Sequence, residues 1–285
     1  MNSLLKAVLT IFMIACVSCA RPLDENSFQT SVEPTHVING KIAQRDTPES
    51  KSVVLIELVD LRNNVVSVCT GTIISQKYVL TAAHCFDSGL VGNFSRANIV
   101  FDDVYKFVRG AKSTARMKTR AGYHIVHPDF NRIGDWNNDA ALIKFQGGLP
   151  AGFGPVTLDQ DRNAKYEGRQ VVVYGYGVSK DYTGTIGEDL LANFGTLRRG
   201  VITVDNFYDR FPDRYYAVAG TATQPCQGDS GGPQFLTAKD GSVKQVGVNS
   251  AIAGPQLPSG IHSCYGPAHA TKVAPMYEWI QKEIR

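Results

Sequence analysis

What most constrains this chain is a succession of short β-rich runs separated by turn residues, with almost nothing helical between them. "SVVLIELVDL" and "VVSVCTGTIIS" flank Arg62-Asn63-Asn64, which predicts a hairpin. "YVLTAAHC", "NIVF", "AALIKF", "RQVVVYGYG", "LRRGVITV", "YYAVAG", "GGPQFL" and "VKQVGVNSAI" follow. No strand–helix–strand alternation occurs, which argues against a parallel sheet and for antiparallel barrels or sandwiches. One helix is legible, at the C-terminus. Pro275 suits a first turn, and Met276, Trp279, Ile280 and Ile284 recur at spacings of three and four, a core-packing stripe. With 285 residues, 43% of them hydrophobic, the chain can bury one large core or two modest ones.

The first 20 residues predict a signal peptide. Lys6 precedes an 11-residue apolar run, Ala7 to Val17, too short to span a bilayer. "SCA" (Ser18 to Ala20) supplies small residues for cleavage before Arg21. Cys16 and Cys19 loosely fit a lipoprotein signal, the one route by which a membrane would become a partner. Either way the chain is expected to leave the cytosol, as a secreted, extracellular or periplasmic protein. Residues 21–36 are polar and pattern-free, a linker or propeptide. Cys69, Cys85, Cys226 and Cys264 then predict two disulfides, with three pairings open. Among these four cysteines CxxC spacing is absent, and His124, His127, His262 and His269 have no paired spacing that argues for metal, so no metal is expected. A net charge of +3 predicts no strong field for nucleic acid or polyacids. Nothing calls for a cofactor.

Three short segments carry chemistry. "GDSGGP" (Gly228 to Pro233) boxes Ser230 between an aspartate and glycines. A serine hydroxyl is a weak nucleophile unless a base takes its proton. Glycine-rich backbone can aim successive N–H groups at one point, and Gly228 and Ser230 are the candidate donors for an oxyanion. "LTAAHC" places His84 just after a strand, and "NNDAALIKF" places Asp139 at the head of another. Each alone reads as a turn, a solvated histidine or a cap. Together they supply nucleophile, base and orienting carboxylate. Asp135, four residues before Asp139, lies in "IGDWN" and lacks that setting.

In these segments, and in "VING", "TGTIIS", "YGYG" and "VAPMYEWIQKEI", the chain resembles the chymotrypsin/trypsin family of serine proteases, from about Val37 to Arg285 and in the family's order His, Asp, Ser. The resemblance implies an all-β fold: two packed six-stranded antiparallel β-barrels and a C-terminal α-helix. The protease domain would span 37–285, its halves meeting near 147–154. The resemblance selects the pairings Cys69–Cys85 and Cys226–Cys264. It implies protein or peptide substrates and a Ser230–His84–Asp139 triad, with Ser250 beside the triad carboxylate. It implies synthesis as a zymogen, in which cleavage before Val37 frees an ammonium that pairs with Asp229. His36 precedes Val37, so an activating protease with tryptic specificity is not expected.

The resemblance also locates the substrate pocket. Gln224, six residues before Ser230, stands where trypsin-like enzymes carry an aspartate. An uncharged floor cannot pair with a substrate Lys or Arg. Pro225 would stiffen that floor, Ile252 and Ala268 stand where glycines usually keep the pocket open, Ala251 replaces a frequent tryptophan, and Ser250 to Ile252 match the pocket strand that pairs with substrate backbone. The expectation is a secreted endopeptidase selecting small or medium uncharged residues. A catalytically silent binding protein is the alternative, and it usually lacks a triad residue. An esterase of another fold would show the order Ser, Asp, His.

Overall fold

The structure is a computed structural model describing residues 37–131, 136–179, 194–205, 215–218, 223–256 and 262–285. The expected signal peptide, Cys16, Cys19, the 21–36 segment and Asp135 lie outside the described residues. Fourteen strands are described. In the first half, β1 (Lys41–Ile42), helix α1 (Pro48–Ser52), β2 (Val53–Val59), β3 (Val65–Ile73), β4 (Tyr78–Thr81), helix α2 (Ser88–Val91), β5 (Arg96–Val100), β6 (Lys118–Val126) and β7 (Ala141–Phe145) follow in order. Strands β2-β3-β4-β7-β6-β5 form a closed barrel.

Strand β2 shows how the sequence builds this barrel. All seven of its residues are buried, because both of its faces are covered. Val54, Ile56 and Leu58 enter the barrel core with Leu80, Ile99 and Leu142. Val53, Leu55 and Val59 face a second cluster with Tyr174, Tyr176, Leu197 and Phe235, contributed by the other half of the chain. Period-two alternation thus divides two cores rather than core from solvent. The expected hairpin closes β2 onto β3, with Asn63 at φ +64° and Asp60 Oδ1 accepting from the amides of Arg62 and Asn64, both at 2.8 Å.

The second half contains β8 (Thr157–Leu158), β9 (Gln170–Gly175), β10 (Arg198–Asp205), β11 (Tyr215–Val218), β12 (Pro233–Thr237), β13 (Val243–Ile252) and β14 (Ala268–Lys272). The pairings β9–β10, β10–β11, β11–β14, β14–β13, β13–β12 and β12–β9 make a circuit of antiparallel strands. Strand β1 adds to β10, and β8 adds to β13 as the one parallel pairing among the described strands. A 3₁₀ turn at Ala274–Met276 leads into helix α3 (Tyr277–Glu283). Met276 and Ile280 are buried in the first barrel's core, and Trp279 meets His127 edge-on at 4.7 Å. The predicted apolar stripe therefore docks the last element across onto the first barrel. Both expected disulfides are present, Cys69–Cys85 and Cys226–Cys264. Among the described residues no helix is long and apolar enough to cross a membrane.

Candidate active site

Strand register brings His84 and Asp139 together. In the antiparallel pair β4–β7, Thr81 lies opposite Ala141. His84 is three residues beyond one strand end and Asp139 two before the other, so both project from the same edge of the barrel. His84 Nδ1 is 2.6 Å from Asp139 Oδ2, and the His84 backbone N–H donates to Asp139 Oδ1 at 2.9 Å. The hydroxyl of Ser250, on β13 of the second barrel, donates to Oδ2 at 2.5 Å. Asp139 is wholly buried, and three donors from two barrels offset the loss of water around it. The Cys69–Cys85 bridge ties the 3₁₀ turn holding His84 to β3.

Ser230 sits on the loop between Cys226 and β12. Its carbonyl accepts from Thr70 N at 2.8 Å and lies 3.9 Å from Cys85 Sγ, next to His84. Gly231 N donates to Asn249 O, and Asn249 N to Gly232 O, both at 2.8 Å. Gly231 adopts φ +79°, and a Cβ there would fall 2.0 Å from Thr81 Oγ1 and 2.5 Å from Thr70 O. No larger residue fits between the barrels at that point. Thr70 Oγ1 donates to Gly228 O at 2.8 Å, which fixes the peptide joining Gly228 to Asp229. Among the described residues, no protein acceptor takes the N–H of Gly228 or of Ser230. Two free amides two residues apart beside a serine can hold a developing oxyanion.

Asp229 points the opposite way. It is fully buried and accepts from Cys226 N at 2.9 Å and Gly177 N at 2.8 Å. Burial outweighs these two hydrogen bonds and raises its pKa to about 7. A Cβ on Gly175 would come within 1.9 Å of its Oδ1, so the glycines of "YGYG" leave the space this carboxyl occupies. Val37 is buried beside Tyr166, Val171, Val173 and Ile202 with φ +45°, an unfavourable conformation for a β-branched residue. Ile38 O accepts from Gln224 N at 3.3 Å, which ties the predicted activation segment to the loop carrying Asp229.

The residues expected to form the substrate pocket do not all share one environment. Gln224 is only 1% exposed, and its Oε1 has no hydrogen-bond partner among the described residues. Pro225 is buried beside it. Ala251 and half-buried Ile252 end β13, with Ile252 packed on the Cys226–Cys264 cluster. Ala268 lies opposite Ile252 in the register, yet it is buried in the second barrel's core with Val171 and Val173.

Sequence reasoning overlooked four neighbours. The Trp136 ring stands 5.1 Å from that of His84, on a residue with φ +52°. Phe194 lies so near Gly228 that a Cβ there would be 2.1 Å from the ring. Thr70 fastens the Gly228 peptide as described above. Gln227 Nε2 donates to His262 O at 2.9 Å, lacing the serine loop to the residues just before Cys264. "IGDWN" held a signal for the first, since a tryptophan three residues before a candidate triad aspartate must lie near it. The other three depend on tertiary contacts. Among the described residues no group of three His, Cys, Asp or Glu side chains could hold a metal.

Paired antiparallel barrels, with a histidine–aspartate couple and a glycine-flanked serine where they meet, define the serine-protease class of β-barrel fold. Residues 47–280 match the Trypsin family. Porcine (Sus scrofa) trypsin is 25% identical over 226 residues, 76% of this chain and 85% of the relative. Granzyme M of Rattus norvegicus is 28% identical over 243 residues, 80% of this chain and 83% of the relative. A trypsin-like protease of Streptomyces glaucescens is 30% identical over 195 residues, 64% of each. A solved collagenase structure superposes with a TM-score of 0.64 at 21% identity, covering 87% of this chain and 98% of that one. The chain belongs to the trypsin family of serine proteases.

Proposed function

We propose that this protein is an exported serine endopeptidase, made as a zymogen, with a primary specificity that is not tryptic. The observation carrying the reading is the 2.6 Å contact between His84 Nδ1 and a buried, triply hydrogen-bonded Asp139, next to a serine loop with two free amides. Ser230 Oγ attacks the scissile carbonyl as His84 Nε2 takes its proton. Asp139 holds the proton on Nδ1 and stabilises the imidazolium. The amides of Gly228 and Ser230 receive the oxyanion, His84 returns the proton to the leaving amine, and water then clears the acyl-enzyme by the same steps.

Activation follows from Asp229. A buried carboxyl with two amide donors and no cationic partner among the described residues suits a charge that arrives later. Cleavage after His36 creates that charge on Val37, and it also removes the constraint of a buried valine at φ +45°. The unpaired, buried Oε1 of Gln224 favours a substrate side chain that donates a hydrogen bond, and an uncharged floor disfavours Lys and Arg.

The test is turnover of a peptide library by the mature protein and by Ser230→Ala, with labelling by a serine-directed fluorophosphonate. Loss on the order of 10⁶-fold in the variant is expected. Absence of labelling and turnover in the matured wild type would establish the alternative, a catalytically silent binding protein of the same fold. Dominant cutting after Lys or Arg would overturn the specificity.

A further inference from the structure

The net charge of +3 conceals an uneven distribution. Between Asp103 and Asp129 the chain carries six Lys and Arg residues and no Asp or Glu, while elsewhere 23 basic residues face 26 acidic ones. The protein is therefore a mildly acidic body with one basic stretch. Most of that stretch is the irregular segment between β5 and β6, where Lys106, Arg109, Lys112 and Arg116 are exposed.

Neighbouring carboxylates do not cancel these charges. Asp103 at the base of the segment is bound by Arg45, and Asp102 accepts from the amides of Arg116 and Met117. Lys118 lies 3.6 Å from buried Glu57, and Lys112 lies near Asp60. Lys106, Arg109 and Arg116 form no ion pair among the described residues. The same segment exposes apolar side chains: Val104 is 70% and Val108 41% accessible. Unpaired cations interleaved with exposed apolar groups differ from an ordinary solvated loop, and the mixture suits a protein-binding patch.

The patch abuts the candidate active site. Tyr105 N donates to Gly195 O at 2.7 Å, and Phe107 packs against Phe194 at 5.4 Å, whose ring covers Gly228. Arg109 reaches towards Gly92, on the segment that follows His84, its guanidinium 3.9 Å from where a Cβ there would stand. A polypeptide held in the cleft would thus pass close to the segment from either wall.

We propose that the 104–118 segment is an accessory recognition surface for a stretch of a protein substrate that combines Asp or Glu with apolar residues, outside the scissile region. The inference rests on the protease reading above. A nucleic acid or another long polyanion fits less well, because the remainder of the chain carries excess negative charge and repels it beyond this one segment. A short acidic segment on the substrate itself needs only local attraction, strengthened by its tether to the bond being cut.

The experiment uses the mature enzyme and three peptides sharing one cleavage sequence: unextended, extended by alternating Glu and Leu, and extended by alternating Gln and Leu. The acidic extension should raise kcat/KM about tenfold over the neutral one at low salt, mainly through KM, and roughly 0.5 M salt should remove the gain. The triple variant Lys106→Ala/Arg109→Ala/Arg116→Ala should lose the gain yet cut the unextended peptide at the wild-type rate. Equal rates for the two extensions, or equal slowing of all three peptides in the variant, overturn the proposal. So does a short DNA oligonucleotide that inhibits where the acidic peptide does not. If no peptide is cut, the protease reading fails. The surface is then decided by anisotropy of the labelled acidic extension with Ser230→Ala: equal Kd with and without the triple substitution overturns it.

Discussion

Asp229 gives the uncleaved chain a pH dependence whose sign and size follow from its burial. Its ordinary pKa is 3.8, and in the folded chain burial raises it to about 7. Between those values the folded state holds a proton that the unfolded state has released, so stability falls as pH rises. The slope is about 1.4 kcal/mol per pH unit, and the total over the window is about 4 kcal/mol. Histidines partly removed from water act in the opposite sense. Desolvation pushes His269 down to about 4 and lowers His124 and His127, so each adds stability as pH rises towards the ordinary histidine value of 6.5. The informative quantity is therefore the difference between the wild type and Asp229→Asn. The variant keeps an acceptor for one of the two amides and loses the other, a pH-independent cost of about 1–3 kcal/mol. Urea unfolding by tryptophan fluorescence between pH 4.5 and 7.5, with both chains carrying Ser230→Ala to prevent self-cleavage, measures that difference. The wild type should lose ground to the variant at the stated slope as pH rises. Parallel stability curves would refute the reasoning. Chain cleaved after His36 should not show the loss, since the new ammonium lowers the carboxyl's pKa again.

Other substitutions address the proposed pocket, the proposed oxyanion amides and the packing. Gln224→Asp should introduce cleavage after Arg or Lys and weaken it after uncharged residues, read as a shift in a peptide-library profile. Thr70→Val removes the donor to Gly228 O and the acceptor for Tyr176 N, and should lower kcat by about 10–100-fold with little change in KM. Ile280→Ala, at the fully buried face of α3, should cost about 2–5 kcal/mol in denaturant unfolding.

Much of the fold was legible because its strands obey local rules. Asn63 and Asp60 encode the β2–β3 hairpin, and the α3 stripe reports its docking face directly. Strand β6, "KTRAGYHIV", escaped notice because it is basic and only partly apolar; its pairing with β5 and β7 overrides weak propensity. Strand β14, "AHATK", is short and built of small residues, so its place depends on β13 and β11. In the site, Ser230, His84 and Asp139 stand out because their chemistry depends on residue type. Trp136 against His84, and Thr70 on Gly228 O, are products of register and loop path, which local sequence does not report. Average charge likewise said nothing of the 104–118 segment, since a sum discards position.

Arg45 has a consequence for the proposed activation. Its guanidinium lies 4.1 Å above the Phe153 ring, donates to Ser50 O at 2.7 Å, Val53 O at 2.8 Å and Tyr176 Oη at 2.6 Å, and binds Asp103. Cutting after His36 therefore releases an end only eight residues from a fixed anchor, a reach of at most about 28 Å. The new ammonium behaves as a tethered ligand, at an effective concentration on the order of millimolar relative to Asp229. Activation becomes an intramolecular docking step that dilution cannot reverse, and its extent should not depend on protein concentration.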